Sequence, residues 1–99
     1  MAFKATDPLL MTEIRLATMS VLHEEERADF TYLREVIGAT SGNLSSQLSR
    51  LEEAGYITIE KKFVDNKPLT TCYITEKGRR AFEQHYEALK SYFPGREGH

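Results

Sequence analysis

The sequence has no tryptophan, a single cysteine (Cys72) and three histidines (His23, His85 and His99). One cysteine excludes an intramolecular disulfide and a cysteine-cluster metal site. The histidines show no metal-ligand spacing, so we expect neither a metal site nor another cofactor. Long apolar runs are also missing, since none approaches the roughly 18 residues of a membrane span.

Catalytic signatures are absent as well. The chain contains no glycine-rich phosphate loop, no Gly-x-Ser-x-Gly and no His-Glu-x-x-His, so we expect no enzyme. With 99 residues it suffices for one domain over residues 1–99, with a core from about residue 7 to 93 and a flexible tail over residues 94–99. Lys4, Asp7 and Pro8 interrupt the place where a secretory signal would begin, which predicts a cytoplasmic protein.

The net charge of −2, from 13 basic and 15 acidic residues, at first argues against nucleic acid as a partner. The charges are unevenly distributed, however, because residues 61–80 carry six basic side chains against two acidic ones. The six are Lys61, Lys62, Lys67, Lys77, Arg79 and Arg80. A basic stretch is often only a solvated face, so its meaning depends on its neighbours in the fold.

Asp7 and Pro8 are typical of a helix start and predict a first helix of about 16 residues. Apolar residues recur there with helical spacing at Leu10, Ile14, Ala17 and Val21, and a second stripe holds Leu9, Leu16 and Met19. So much apolar surface allows two interpretations: a deeply buried central helix, or a helix that also contacts a partner chain.

Two shorter helices follow. Thr31 is expected to cap a helix over residues 32–37, with Leu33, Val36 and Ile37 facing inward and Gly38 ending it. Thr40 or Ser41 is expected to cap a third helix over residues 42–54, whose inward face holds Leu44, Leu48 and Leu51. Two helices joined by a turn of about 3–4 residues indicate a helix-turn-helix.

Two strands are predicted over residues 56–63 and 69–74, around a turn at residues 64–68. Cys72 shares a strand face with Thr70 and Ile74, which indicates a small buried residue. Thr75 is expected to cap a last helix from Glu76 to about Tyr92. Because a lone hairpin is unstable in water, we predict a mainly helical α+β winged helix. Its parts are a three-helix helix-turn-helix core, a two-stranded β-hairpin wing and a C-terminal helix.

The exposed face of the third helix carries serine, asparagine, glutamine and arginine, with no acidic residue from Thr40 to Leu51. Short hydrogen-bonding side chains suit a DNA major groove, although a serine-rich surface helix without a ligand is the alternative. Beside a basic hairpin the DNA interpretation is favoured. The predicted DNA-binding residues are Thr40, Ser41, Asn43, Ser45, Ser46, Gln47, Arg50, Lys61, Lys62 and Lys67. Arg79 and Arg80 either face DNA or pair with Glu76 or Glu83.

Residues 42–59 have the sequence GNLSSQLSRLEEAGYITI, and residues 74–85 have ITEKGRRAFEQH with a Thr-x-x-Gly turn. Both resemble winged helix-turn-helix transcriptional regulators of the MarR and ArsR type. The resemblance implies a homodimer on a pseudo-palindromic operator, with residues 41–50 as recognition helix and residues 60–69 as wing. It also implies dimerisation through the first and last helices, at Leu9, Leu10, Leu16, Phe82, Tyr86, Leu89 and Phe93.

The sequence departs from this family in one respect at the wing. Such regulators often have an arginine near the wing tip, where this chain has Lys67, a point charge without a bidentate fork. We predict a DNA-binding transcriptional repressor, and the resemblance further implies a possible small-molecule effector. The alternative is a winged helix that binds proteins rather than DNA, through the acidic turn at residues 24–26 and the aromatic last helix.

Overall fold

The computed structural model describes residues 3–93 and 95, and it confirms the predicted winged helix. The elements in chain order are a 3-10 helix (Pro8–Leu10), α1 (Glu13–Glu25), β1 (Arg27–Asp29), α2 (Phe30–Ile37), α3 (Ser41–Glu53), β2 (Ile57–Val64), β3 (Lys67–Ile74) and α4 (Glu76–Lys90). Of the predicted tail, residues 94 and 96–99 lie outside the described residues.

The predicted single first helix is wrong, because the chain forms two helical segments there. Asp7 caps the 3-10 helix, with its Oδ1 accepting a hydrogen bond from the Leu9 amide at 3.0 Å. Thr12 then takes an extended conformation, and α1 begins after it. The buried face of α1 consists of Arg15, Thr18, Met19 and Leu22. This face is shifted by one residue toward the C-terminus from the predicted stripe of Leu10, Ile14, Ala17 and Val21.

The core is built largely from leucines. Leu44, Leu48 and Leu51 of α3 are buried as predicted, and they lie in one cluster with Met19, Leu22 and Leu33. In α2 the prediction was wrong in two places: Val36 is 54% exposed, and Asp29 rather than Thr31 is the N-cap residue. Cys72 is fully buried, and burial raises the pKa of its thiol to about 11, so that it is protonated at neutral pH.

The sheet has three antiparallel strands in the order β1-β3-β2, so the predicted two-stranded hairpin was incomplete. The additional strand β1 pairs Ala28 with Cys72 and Asp29 with Thr71. Its three residues, Arg-Ala-Asp, show no apolar alternation beyond the buried Ala28, so only the pairing with β3 makes them a strand.

The wing is a tight hairpin. β2 and β3 pair from Ile57 opposite Ile74 to Val64 opposite Lys67. The turn is therefore the two residues Asp65 and Asn66, shorter than the predicted turn. Their φ angles of 53° and 63° match the type I′ turn, which agrees with the twist of paired strands.

The Thr-x-x-Gly sequence forms the junction between the wing and α4. Thr75 caps α4 by accepting from the Gly78 amide at 3.0 Å, and its hydroxyl donates to the Gly55 carbonyl at 2.6 Å. At Gly78 a Cβ atom would lie 2.1 Å from the Tyr56 carbonyl oxygen. The absence of a side chain therefore lets the start of α4 contact the backbone that follows α3.

We expect Gly78→Ala to lower the free energy of unfolding by about 2 kcal/mol or more, because backbone must move to admit the methyl group. Gly42→Ala is the matched control. Gly42 is in a helix with no atom within 4 Å of an added Cβ, so alanine should leave stability unchanged or raise it by up to about 1 kcal/mol. Urea unfolding measures both, and equal effects would contradict the steric argument.

Candidate nucleic-acid interface

The start of α3 is organised by a short connection from α2. Gly38 ends α2 in the left-handed conformation, with φ of 77°, and Thr40 caps α3 by accepting from the Asn43 amide at 3.2 Å. Arg34 of α2 donates from Nη1 to the Ser41 hydroxyl at 3.1 Å. This places a positive charge beside the partly positive N-terminus of α3. Arg34 is not among the residues predicted from the sequence, where its only signal is a basic side chain in the last turn of α2.

The predicted face of α3 is largely exposed. Among the predicted residues of this segment, Gln47 is half-buried and the others are exposed: Thr40, Ser41, Asn43, Ser45, Ser46 and Arg50. Within the residues that the structure describes, Arg50 has no ion pair. The face thus offers uncharged hydrogen-bonding groups and one free cation.

Gln47 accepts a hydrogen bond from Arg15, a buried arginine that is not among the predicted site residues. Arg15 is 9% exposed, and its guanidinium donates to three uncharged acceptors. Nε donates to the Leu9 carbonyl and Nη2 to the Thr12 hydroxyl, both at 2.6 Å, and Nη1 donates to Gln47 Oε1. The one signal in the sequence was that Arg15 shares helical spacing with Met19 and Leu22.

The wing does not place its three lysines together. Because side chains alternate along a strand, Lys61 lies on the face of β2 that meets α3. There it lines a cleft with Ser45, Ser49 and Glu52. Lys62 lies on the opposite face, with its Nζ 3.4 Å from Glu60 Oε1. Lys67 is the cross-strand partner of Val64, next to the turn, and is exposed.

The two arginines at the start of α4 have different environments. Arg80 pairs with Glu76 at 3.2 Å, which is one of the two alternatives left open by the sequence, and Arg79 is half-buried. Glu83, the other possible partner, pairs instead with His23 at 2.8 Å.

The residues expected at a dimer interface divide into three groups. Leu10 is completely buried in the core of the chain, so it has no surface to offer a partner and its assignment was wrong. Leu9, Leu16, Phe82 and Leu89 are half-buried. Tyr86 and Phe93 are 54% and 56% exposed, on one flank of α4 and just beyond its end.

His85 occupies the buried side of α4 and serves the fold. Its Nδ1 accepts from the Asp7 amide at 3.0 Å, which requires a ring that is unprotonated at that nitrogen. Over residues 3–93 and 95, no three histidine, cysteine, aspartate or glutamate side chains are placed to hold a metal ion. In the same part of the chain, no helix combines the length and apolarity needed to cross a membrane.

This architecture, with an exposed helix that has no acidic residue before Glu52 and a strand beside it that carries Lys61 and Lys62, is that of a winged helix transcriptional regulator. A family model described as a winged helix DNA-binding domain matches residues 14–93, and the chain belongs to this family.

Similar proteins agree with this class. An uncharacterized protein of Methanocaldococcus jannaschii is 36% identical over 78 residues, which cover 78% of this chain and 85% of that protein. A transcriptional regulator homologue from Pyrococcus horikoshii OT3 is 30% identical, with a TM-score of 0.80 over 85% of this chain and 83% of that one. Overoxidized AbfR bound to DNA is 25% identical, with a TM-score of 0.74 over 86% and 62%. A MarR family transcriptional regulator from Silicibacter pomeroyi, 17% identical with a TM-score of 0.67, shares the fold.

We expect Arg15→Met to lower the free energy of unfolding by about 1–3 kcal/mol, because three acceptors lose their donor. Arg50→Met is the control, since it makes the same change at an exposed arginine and should alter stability by no more than about 0.5 kcal/mol. Urea unfolding of both variants measures the difference. An Arg15→Met protein as stable as Arg50→Met would contradict the role given to the buried guanidinium.

Proposed function

We propose that this chain is a sequence-specific repressor of transcription that binds double-stranded DNA as a homodimer on a pseudo-palindromic operator. The observation that carries the proposal is the exposed face of α3 up to Arg50, which has no acidic residue, together with the cations Arg50 and Lys61. α3 enters the major groove, and the wing contacts the flanking backbone or minor groove. A dimer that covers two half-sites blocks that duplex to other proteins, which is why repression is proposed.

The chemistry of α3 matches the groove that it would occupy. Asn43, Ser45 and Ser46 are short and exposed, so the helix can approach base edges closely. Arg50 has the fork geometry for guanine O6 and N7. The capped helix start, with Arg34 beside Ser41, suits a phosphate group.

The wing contributes through individual lysines rather than as one basic patch. Lys61 borders the same cleft as Ser45 and Ser49 of α3, so it would follow the backbone next to the groove that α3 enters. Lys62 pairs with Glu60 on the opposite face, so its charge is partly compensated before any DNA arrives. Lys67, next to the turn, is exposed and available to a phosphate.

The exposed apolar flank of α4 supports the homodimer. Tyr86 and Phe93 are both more than half exposed, and Phe82 and Leu89 lie beside them on the helix. Contiguous apolar surface of this kind is typical of an interface, and a two-fold dimer uses the same patch on both chains. The proposed interface therefore comprises Leu9, Leu16, Phe82, Tyr86, Leu89 and Phe93.

We expect Lys61→Ala to weaken binding to every duplex and to reduce the slope of log affinity against log salt concentration by about one. Lys62→Ala removes the same charge from the adjacent residue, but it also frees Glu60, and it should change the slope by less. Fluorescence anisotropy with pooled genomic duplexes over a salt series measures both. A wild-type protein without affinity for any duplex at low salt would contradict the proposed function.

We expect the wild-type protein to sediment with twice the mass of one chain at tens of micromolar, and Tyr86→Glu to sediment as a monomer, because a charge would be buried in the interface. Val36→Glu is the control, since Val36 is equally exposed at 54% but lies on α2. Analytical ultracentrifugation distinguishes the two states. A monomeric wild type would exclude the two-half-site arrangement.

A further inference from the structure

A chain of three hydrogen-bonded side chains leads from the core to the exposed face of α3. Arg15 Nη1 donates to Gln47 Oε1, and Gln47 Nε2 donates to Asn43 Oδ1 at 3.2 Å. Arg15 is buried, Gln47 is half-buried and Asn43 is exposed. The group of this hydrogen-bonded series that faces solvent is therefore the side-chain amide nitrogen of Asn43.

The direction of these hydrogen bonds follows from the chemistry of arginine. A guanidinium has donors and no acceptor, so the group of Gln47 that faces Arg15 has to be its oxygen. The other end of the Gln47 amide is then NH₂, which only donates, and the group of Asn43 that faces it has to be an oxygen. Turning the Gln47 amide over would set its NH₂ against the guanidinium, and turning the Asn43 amide over would set its NH₂ against that of Gln47. Each change would cost a hydrogen bond.

We infer that Arg15 is a positioning residue for DNA recognition and that, through Gln47, it makes Asn43 a donor toward the major groove. The inference rests on the proposed function, because it requires α3 in that groove. An unconstrained asparagine binds adenine with both its oxygen and its nitrogen. Here the hydrogen bond from Gln47 turns the oxygen of Asn43 toward Gln47, and the nitrogen faces outward.

An outward donor distinguishes cytosine from the other three bases. In the major groove guanine presents O6 and N7, thymine presents O4 and adenine presents N7 as acceptors, whereas cytosine presents only its amino group. The NH₂ of Asn43 pairs with any of these acceptors and opposes the amino group of cytosine. One position in each half-site therefore excludes cytosine on the strand that Asn43 contacts.

Gln47→Glu tests the inference because it replaces the donor that faces Asn43 with an acceptor, with little change in side-chain size. The carboxylate still accepts from Arg15, but its second oxygen also only accepts. Asn43 then has to donate its NH₂ inward and present its oxygen to the groove. Selection of binding sites from randomised duplexes should show cytosine becoming accepted at that position, and guanine and thymine becoming disfavoured there. We expect the ratio of selected cytosine to selected guanine to rise about tenfold, with other positions unaltered.

Three further variants complete the test. Asn43→Ala identifies the base pair, since the preference there should disappear. Asn43→Asp leaves the contact between Arg15 and Gln47 intact and also presents an oxygen, so it should shift the preference in the same direction even if Gln47→Glu folds poorly. Ser46→Asp adds the same negative charge one turn away, and it should weaken binding to all sequences without changing that preference.

The outcomes separate this inference from the proposed function. If Gln47→Glu and Asn43→Asp select the wild-type base at every position, or if Asn43→Ala alters no position, Arg15 does not set the polarity of Asn43. The proposed function then stands, because the protein still binds DNA. A wild-type protein that binds no duplex overturns both.

Discussion

The buried guanidinium of Arg15 is the interaction on which the arrangement of the helices depends. It donates to the Leu9 carbonyl within the 3-10 helix, to the Thr12 hydroxyl just before α1 and to Gln47 on α3. A buried charge is tolerated only when its donors are used, so these segments have to remain together. The same contact links the stability of the core to the chemistry of the exposed helix.

The charge of the chain is organised by pairing rather than by its total. Three pairs place basic and acidic groups next to each other away from α3. They are Lys62 with Glu60, Arg80 with Glu76, and His23 with Glu83. Arg50 has no such partner among the described residues, and the acceptors of Arg15 are uncharged. The positive charge of Arg50 is therefore available on the exposed face of α3, although the net charge of the chain is −2.

The junction between the wing and α4 is the second geometric constraint. Thr75 and Gly78 connect the end of α3 to the start of α4 through Gly55 and Tyr56. Asp7 extends this connection, since it accepts from the Tyr56 hydroxyl at 2.6 Å and its amide donates to His85. Desolvation, together with the hydrogen bond to Asp7, raises the pKa of Tyr56 to about 12, so this phenol remains a donor at neutral pH. The surface proposed for DNA and the surface proposed for the dimer are thus joined through one hydrogen-bonded region.

The sequence by itself determined the winged helix, because its signals are local. The leucines of α3, the cap at Thr40 and the turn at Gly38 depend on residues within one or two helical turns.

Tertiary contacts decided the rest. The short strand β1 exists only because β3 pairs with it, and Val36 is exposed because the core lies on another side of α2. Leu10 is buried by the elements that surround it, and Lys61 and Lys62 are separated by the pleat of β2. The inward oxygen of Gln47 depends on Arg15, which lies 32 residues earlier in the chain. Such contacts leave no periodic pattern in the sequence, because each is made by single side chains that only the folded chain brings together.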